Sequence, residues 1–96
     1  MNAETNNAEI ARLAQQLVTR ASAAGIMVTC AESCTGGLVA AALTDIAGAS
    51  AVLDRGFVTY SNAAKTDLLG VRSATLVAYG AVSPETATEM ADGALG

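Results

Sequence analysis

The stretch Ile26-Met27-Val28-Thr29-Cys30-Ala31-Glu32-Ser33-Cys34-Thr35-Gly36-Gly37-Leu38 decides the fold. It opens with a short run over 26–30, rich in β-branched residues and apolar on both faces. That is the pattern of an interior strand covered on both sides. Glu32 to Gly37 breaks it with hydroxyls and two adjacent glycines. Leu38 to Leu43 then resumes with strong helix formers. The reading is a strand, a tight glycine turn and a helix in immediate succession.

Upstream, Ile10, Leu13, Leu17, Ala21 and Ala24 recur at helical spacing, with Arg12, Gln16 and Arg20 on other faces. This predicts an amphipathic helix over 6–24. Asn6 followed by Glu9 fits a capping box, and Gly25 fits the stop. Downstream, Gly48-Ala49-Ser50 ends the helix begun at Leu38. A second strand falls within 51–60, best at Gly56-Phe57-Val58-Thr59-Tyr60, with Asp54 and Arg55 read as a turn before it. Ser61 can cap a short helix through Leu69, which Gly70 stops. A further short helix fits 73–79. Ser83-Pro84-Glu85 is a strong helix start, with Pro84 where its missing N–H costs nothing. That helix should run to about Ala94.

This alternation predicts an α/β fold, a three-layer α/β/α arrangement with a mostly parallel sheet, as a single domain over 1–96. Only two or three strands are visible. A parallel sheet that small leaves edges and a face uncovered. The domain is therefore expected to be incomplete at its C-terminus, or completed by another copy.

Composition narrows the function. Five Lys and Arg against nine Asp and Glu give a net charge of −4, and histidine is absent. A nucleic-acid binder needs clustered positive charge, so that class is disfavoured. Without histidine there is no Ser-His-Asp or Cys-His triad and no histidine metal site. No apolar run approaches the ~18 residues of a membrane span, and Met1 to Thr5 lacks the basic region of a leader. The chain reads as cytoplasmic, with Cys30 and Cys34 as free thiols. Two cysteines alone make a poor zinc site, so no metal is expected. Alanine supplies 22 of the apolar residues. The core is correspondingly thin, because alanine buries little area.

The chemistry concentrates at Glu32 to Gly37. A helix start after a strand offers unpaired backbone N–H groups, and Gly36 and Gly37 let a ligand approach. Such a turn suits a phosphate, a carboxylate or a developing oxyanion. Ser33 and Thr35 add hydroxyls there, although either could simply cap the helix. Lys65 is the sole lysine and sits one turn into a helix that begins where a strand ends. In open parallel sheets, sites form beyond the carboxyl ends of strands. If the two strands are neighbours, Ser33 and Lys65 can meet. A desolvated lysine can then serve as the base of a serine nucleophile, with Tyr60 passing a proton or holding the amine. Otherwise Lys65 is a solvated surface residue and Tyr60 a strand-end ring of the core. Cys34 is the rival nucleophile, or a small buried hydrophobe. Cys30 is read as packing. Glu32 could orient Lys65 or a substrate amide, or be a solvated strand-end carboxylate.

The blocks Ala31-Glu32-Ser33-Cys34-Thr35-Gly36-Gly37, Leu43-Thr44-Asp45 and Gly48-Ala49-Ser50 resemble the CinA C-terminal-domain family. So do Gly56-Phe57-Val58-Thr59-Tyr60-Ser61-Asn62 with Lys65, Leu69-Gly70-Val71 and Gly80-Ala81-Val82-Ser83. The resemblance runs from about Ile10 to Gly96. It implies a nicotinamide-nucleotide amidase, which converts nicotinamide mononucleotide to nicotinic acid mononucleotide and ammonia without metal or other cofactor. It implies Ser33 as nucleophile, assisted by Lys65 and Tyr60. Glu32, Cys34, Thr35, Gly36, Gly37 and Ser61 become the substrate-binding set. The family pattern continues with a second glycine-rich stretch, further strands and a last helix. This chain resembles the N-terminal portion of the stand-alone form. The partners implied are a small nucleotide and a second copy, a dimer first, with neither nucleic acid nor membrane. The competing expectation is a non-catalytic nucleotide- or phosphate-binding module, or an oligomeric assembly fragment of the same fold.

Overall fold

The computed structural model describes residues 3–96, with side chains from Asn6 onward. The absence of a basic leader was read partly from Met1 and Asn2, which lie outside the described residues. The elements in order are α1 (Ala3–Ala24), β1 (Val28–Glu32), α2 (Leu38–Thr44), a 3-10 turn (Ala49–Ala51), β2 (Leu53–Val58), α3 (Asn62–Leu69), α4 (Ser73–Tyr79) and α5 (Pro84–Leu95). The class is α/β, as the alternation predicts. β1 and β2 are hydrogen-bonded neighbours in a two-stranded sheet. They run parallel: the Val28 N–H donates to Val52 O at 2.7 Å and the Thr59 N–H to Glu32 O at 2.9 Å.

The boundaries differ from the sequence expectation in instructive ways. α1 begins before Asn6, so Asn6 lies inside the helix and is not its cap. Glu9 instead forms an ion pair with Arg12, one turn on. The first strand starts at Val28, not Ile26. The Ile26 N–H is taken by Ala21 O at 3.0 Å, which closes α1 and withholds that residue from the sheet. The strand then runs on through Glu32. The stretch Val28–Ala31 is only half-buried, because a two-stranded sheet leaves one edge of each strand unpaired. The second strand starts at Leu53, since pairing is already under way at Val52. Arg55, expected in a turn, is therefore a strand residue, and its Nε donates to Asp54 Oδ2 at 2.6 Å.

The chain divides into two compact units. In the first, Met1–Val28 with Leu38–Arg55, Ala14, Val18 and Ala21 of α1 pack with Leu43, Ala49 and Val52. Val28, Ile46 and Leu53 lean on that cluster. The second unit joins Thr29–Gly37 to Gly56–Gly96. Its core is Leu69, Val71 and Met90, with Ala31, Phe57, Leu76 and Ala94 against them.

Three side chains organise the helices of the second unit. Ser83 caps α5, accepting from the Thr86 N–H at 3.2 Å, as its Ser-Pro-Glu start predicts. Thr86 Oγ1 then donates to Gly80 O at 2.7 Å and fixes the α4–α5 turn. Residue Arg72 provides no side-chain cap for α4. Glu89 of α5 takes that role: it accepts from the Arg72 N–H at 2.9 Å and from the Thr75 hydroxyl. These bonds, the backbone one foremost, hold the Glu89 carboxyl below the usual carboxylate range.

Candidate active site

The glycine turn is built around a buried acid. Glu32 is only 4% exposed. Its Oε1 accepts from the Thr35 hydroxyl at 2.6 Å and from the Gly37 N–H at 3.2 Å. The Gly36 N–H donates to Ser33 O at 3.0 Å. Gly36 and Gly37 have φ of 61° and 111°, which side chains rarely adopt, so the pair is needed for conformation. A solvated Glu32 is thus overturned: the carboxylate braces the turn from inside. Thr35 has spent its donor on that brace. Cys30 Sγ lies 3.9 Å from Glu32 Oε2. Burial, then the Glu32 charge and this contact, push the Cys30 thiol up.

Lys65 is not a surface residue. It is 1% exposed, among the largest fully buried side chains of the described residues. Ser61 starts its helix, with Ser61 Oγ accepting from the Ala64 N–H at 3.0 Å. Lys65 Nζ donates to Tyr60 O at 3.0 Å. Burying so polar a nitrogen with a single carbonyl partner is costly. The Tyr60 ring is 75% exposed, so the core-ring expectation fails. Alternation explains this: Thr59 is fully buried, and its neighbour faces the other way. Tyr60 holds the lysine through its carbonyl, not its phenol.

The Thr59 N–H to Glu32 O bond brings these pieces together. Ser33 and Tyr60 each directly follow one partner of that bond. The half-buried Ser33 and the carbonyl that anchors Lys65 therefore share one end of the sheet. Residues 10–96 match the profile of the CinA C-terminal domain. The chain belongs to the CinA C-terminal domain family.

Other CinA-type chains agree in sequence and shape. Over 73 residues the chain is 68% identical to a nicotinamide-nucleotide amidohydrolase PncC of Enterobacter agglomerans, covering 76% of this chain and 44% of that one. Over 89 residues it is 54% identical to the PncC of Escherichia coli K12, covering 93% and 54%. A crystal structure of a competence/damage inducible protein CihA from Agrobacterium tumefaciens superposes with a TM-score of 0.87 at 60% identity, over 90% of this chain and 52% of that one. The chain thus spans about half the length of the relatives it matches.

Within this CinA domain, Cys34 is an exposed free thiol on the turn and Cys30 a half-buried one behind it. Two of the turn's N–H groups, those of Gly36 and Gly37, are committed to internal acceptors. Among the described residues no group of three or more Cys, Asp and Glu is placed to hold a metal ion, and no helix is long and apolar enough to cross a membrane. Sequence reasoning missed Thr59, whose hydroxyl is buried without a partner. A threonine in a strand is ordinary strand chemistry and gives no warning.

Proposed function

We propose that this chain carries the catalytic portion of a nicotinamide-nucleotide amidohydrolase, read as one domain over 1–96 and acting in the cytoplasm. The observation that carries the reading is the buried amine of Lys65, fixed at the strand end next to the Ser33 turn. The names of its PncC relatives supply the substrate class. In this reading the Lys65 amine takes the proton from Ser33 Oγ as that oxygen bonds to the carboxamide carbon of nicotinamide mononucleotide. The N–H groups of Cys34 and Thr35 receive the oxyanion, an effect typically worth about 2.7–4 kcal/mol per donor. Lys65 returns the proton to the amide nitrogen, the C–N bond breaks and ammonia leaves. Water then cleaves the ester, releasing nicotinic acid mononucleotide and restoring Ser33. Tyr60 anchors the amine, and its exposed phenol is free to meet the nucleotide.

Ammonia release from nicotinamide mononucleotide tests this. It should vanish in Ser33→Ala and survive in Cys34→Ala. The reverse pattern makes the thiol the nucleophile. Nucleotide binding without ammonia in the unaltered chain replaces catalysis with a binding module.

A further inference from the structure

We propose that the Thr59 hydroxyl and the Lys65 amine share one buried water, which makes Thr59 a positioning residue for the base. The positioning role rests on the amidohydrolase reading; the hydrogen bond stands apart from it. Thr59 and Lys65 are both fully buried. Thr59 Oγ1 has no hydrogen-bond partner, and Lys65 Nζ has Tyr60 O. An orphaned buried hydroxyl is destabilising, and an amine nitrogen has capacity for more than one bond.

Register brings the two groups together. Strand pairing continues to Thr59, whose N–H donates to Glu32 O. Alternate strand residues share a face, so Phe57 and Thr59 point the same way. Residues four apart on α3 share a face, so Lys65 and Leu69 do too. Phe57 packs against the cluster that contains Leu69. The start of α3 lies at the end of the strand, where Lys65 Nζ reaches Tyr60 O. Thr59 is one step from Phe57 toward that end, and Lys65 is one turn from Leu69 toward it. The hydroxyl and the amine therefore converge on the same side of the strand. A buried water belongs where polar groups with bonds to spare converge. This one accepts from Lys65 Nζ and bonds to Thr59 Oγ1. With Tyr60 O it fixes two directions of the nitrogen. The third is then aimed, and in the proposed reaction it takes the Ser33 proton.

A high-resolution crystal structure of the chain should show a water within hydrogen-bond distance of both groups. Thr59→Val keeps the shape and removes the hydroxyl. It should lower the folded-to-unfolded ratio in urea about fivefold or more, whereas an idle orphan would leave the ratio equal or raised. In a Lys65→Met background the same exchange should not lower it. In ammonia release from nicotinamide mononucleotide, Thr59→Val should reduce kcat about tenfold or more with KM unchanged, and Thr59→Ser should restore most of the rate. A dry gap, a Thr59→Val chain as stable as the original, or exchanges that simply add overturn the hydrogen bond. A normal kcat in Thr59→Val overturns the positioning role. An unaltered chain that releases no ammonia overturns the amidohydrolase reading instead, and the crystal structure and urea series still decide the hydrogen bond.

Discussion

Gly93→Ala sets helix propensity against packing, and the two give opposite signs. By propensity alone, alanine in α5 should stabilise by up to about 1 kcal/mol. The structure says otherwise. A Cβ on Gly93 would lie 1.9 Å from Leu69 O, 2.6 Å from Leu69 C and 2.8 Å from Leu69 Cα. All three are backbone atoms, so no side chain can swing aside. Reaching ordinary contact requires α5 and the end of α3 to separate by roughly 1.5 Å. A gap of 0.5–1 Å already forfeits about a quarter to a half of each atomic contact. The gap opens beneath Leu69, Val71 and Met90, the core of that unit. Overpacking typically costs about 1–3 kcal/mol, and rigid backbone puts this site at the upper end. Net of the propensity gain, Gly93→Ala should lose about 1.5–3 kcal/mol. Urea unfolding followed by circular dichroism reads this as a midpoint lower by about 1 M or more. Ala91→Gly, at an exposed position of the same helix, should lose about 1 kcal/mol by propensity alone. Both exchanges should therefore destabilise. A Gly93→Ala chain as stable as the original would mean that α5 is not seated on the Leu69 carbonyl.

Lys65→Met keeps the length of the side chain and removes the proposed base, so it should abolish ammonia release while leaving the chain folded and at least as stable. A less stable variant would make the lysine a structural anchor. Because folding favours the ionised Glu89, its contribution is present above the ordinary glutamate pKa and lost as pH falls through the lower folded value. Glu89→Gln should flatten the acid side of a melting-temperature profile below the ordinary glutamate range, and parallel profiles would refute the cap. A thiol reagent at mildly alkaline pH should modify Cys34 quickly and Cys30 slowly, since Cys34 is exposed whereas Cys30 is half-buried with its thiol pushed up by burial and Glu32. Loss of the slow phase in Cys34→Ala, with the fast one retained, would reverse that assignment.

The order of elements was legible because each carries a local signature. Ser61, Ser83-Pro84 and Gly70 mark helix ends through their own backbone chemistry, and they do so here. What failed was longer in range. Where β1 starts depends on a hydrogen bond from Ile26 back to Ala21, and where β2 starts depends on its partner strand. Neither is written in the residues of the strand itself. The site divides the same way. Ser33 and the glycines announce a turn, and Lys65 announces itself by being the sole lysine. That Lys65 is buried, that Tyr60 offers a carbonyl and not a phenol, and that Glu89 caps a helix it does not belong to are facts of tertiary packing. Gly93 is the sharpest instance: a glycine near a helix end reads as a weak spot, and only the neighbouring backbone reveals it as a requirement.

Glu32 ties the fold to the chemistry. Its carbonyl accepts from Thr59 and closes the strand pair, while its carboxylate accepts from Thr35 and Gly37 and closes the turn. Burying a carboxylate costs several kcal/mol unless its lone pairs are filled. Here two of the donors that fill them, Thr35 and Gly37, belong to the turn being positioned, so solvation of the acid and order in the turn are coupled. A turn held only by its own backbone could move relative to the sheet. One held by a buried carboxylate on the last strand residue can move only by uncovering a charge or orphaning a donor. Ser33, between the two closures, inherits that rigidity, and Lys65 inherits it from the other strand through Tyr60. In the proposed reaction, such positional precision would be worth more to Ser33 and Lys65 than their bare proximity.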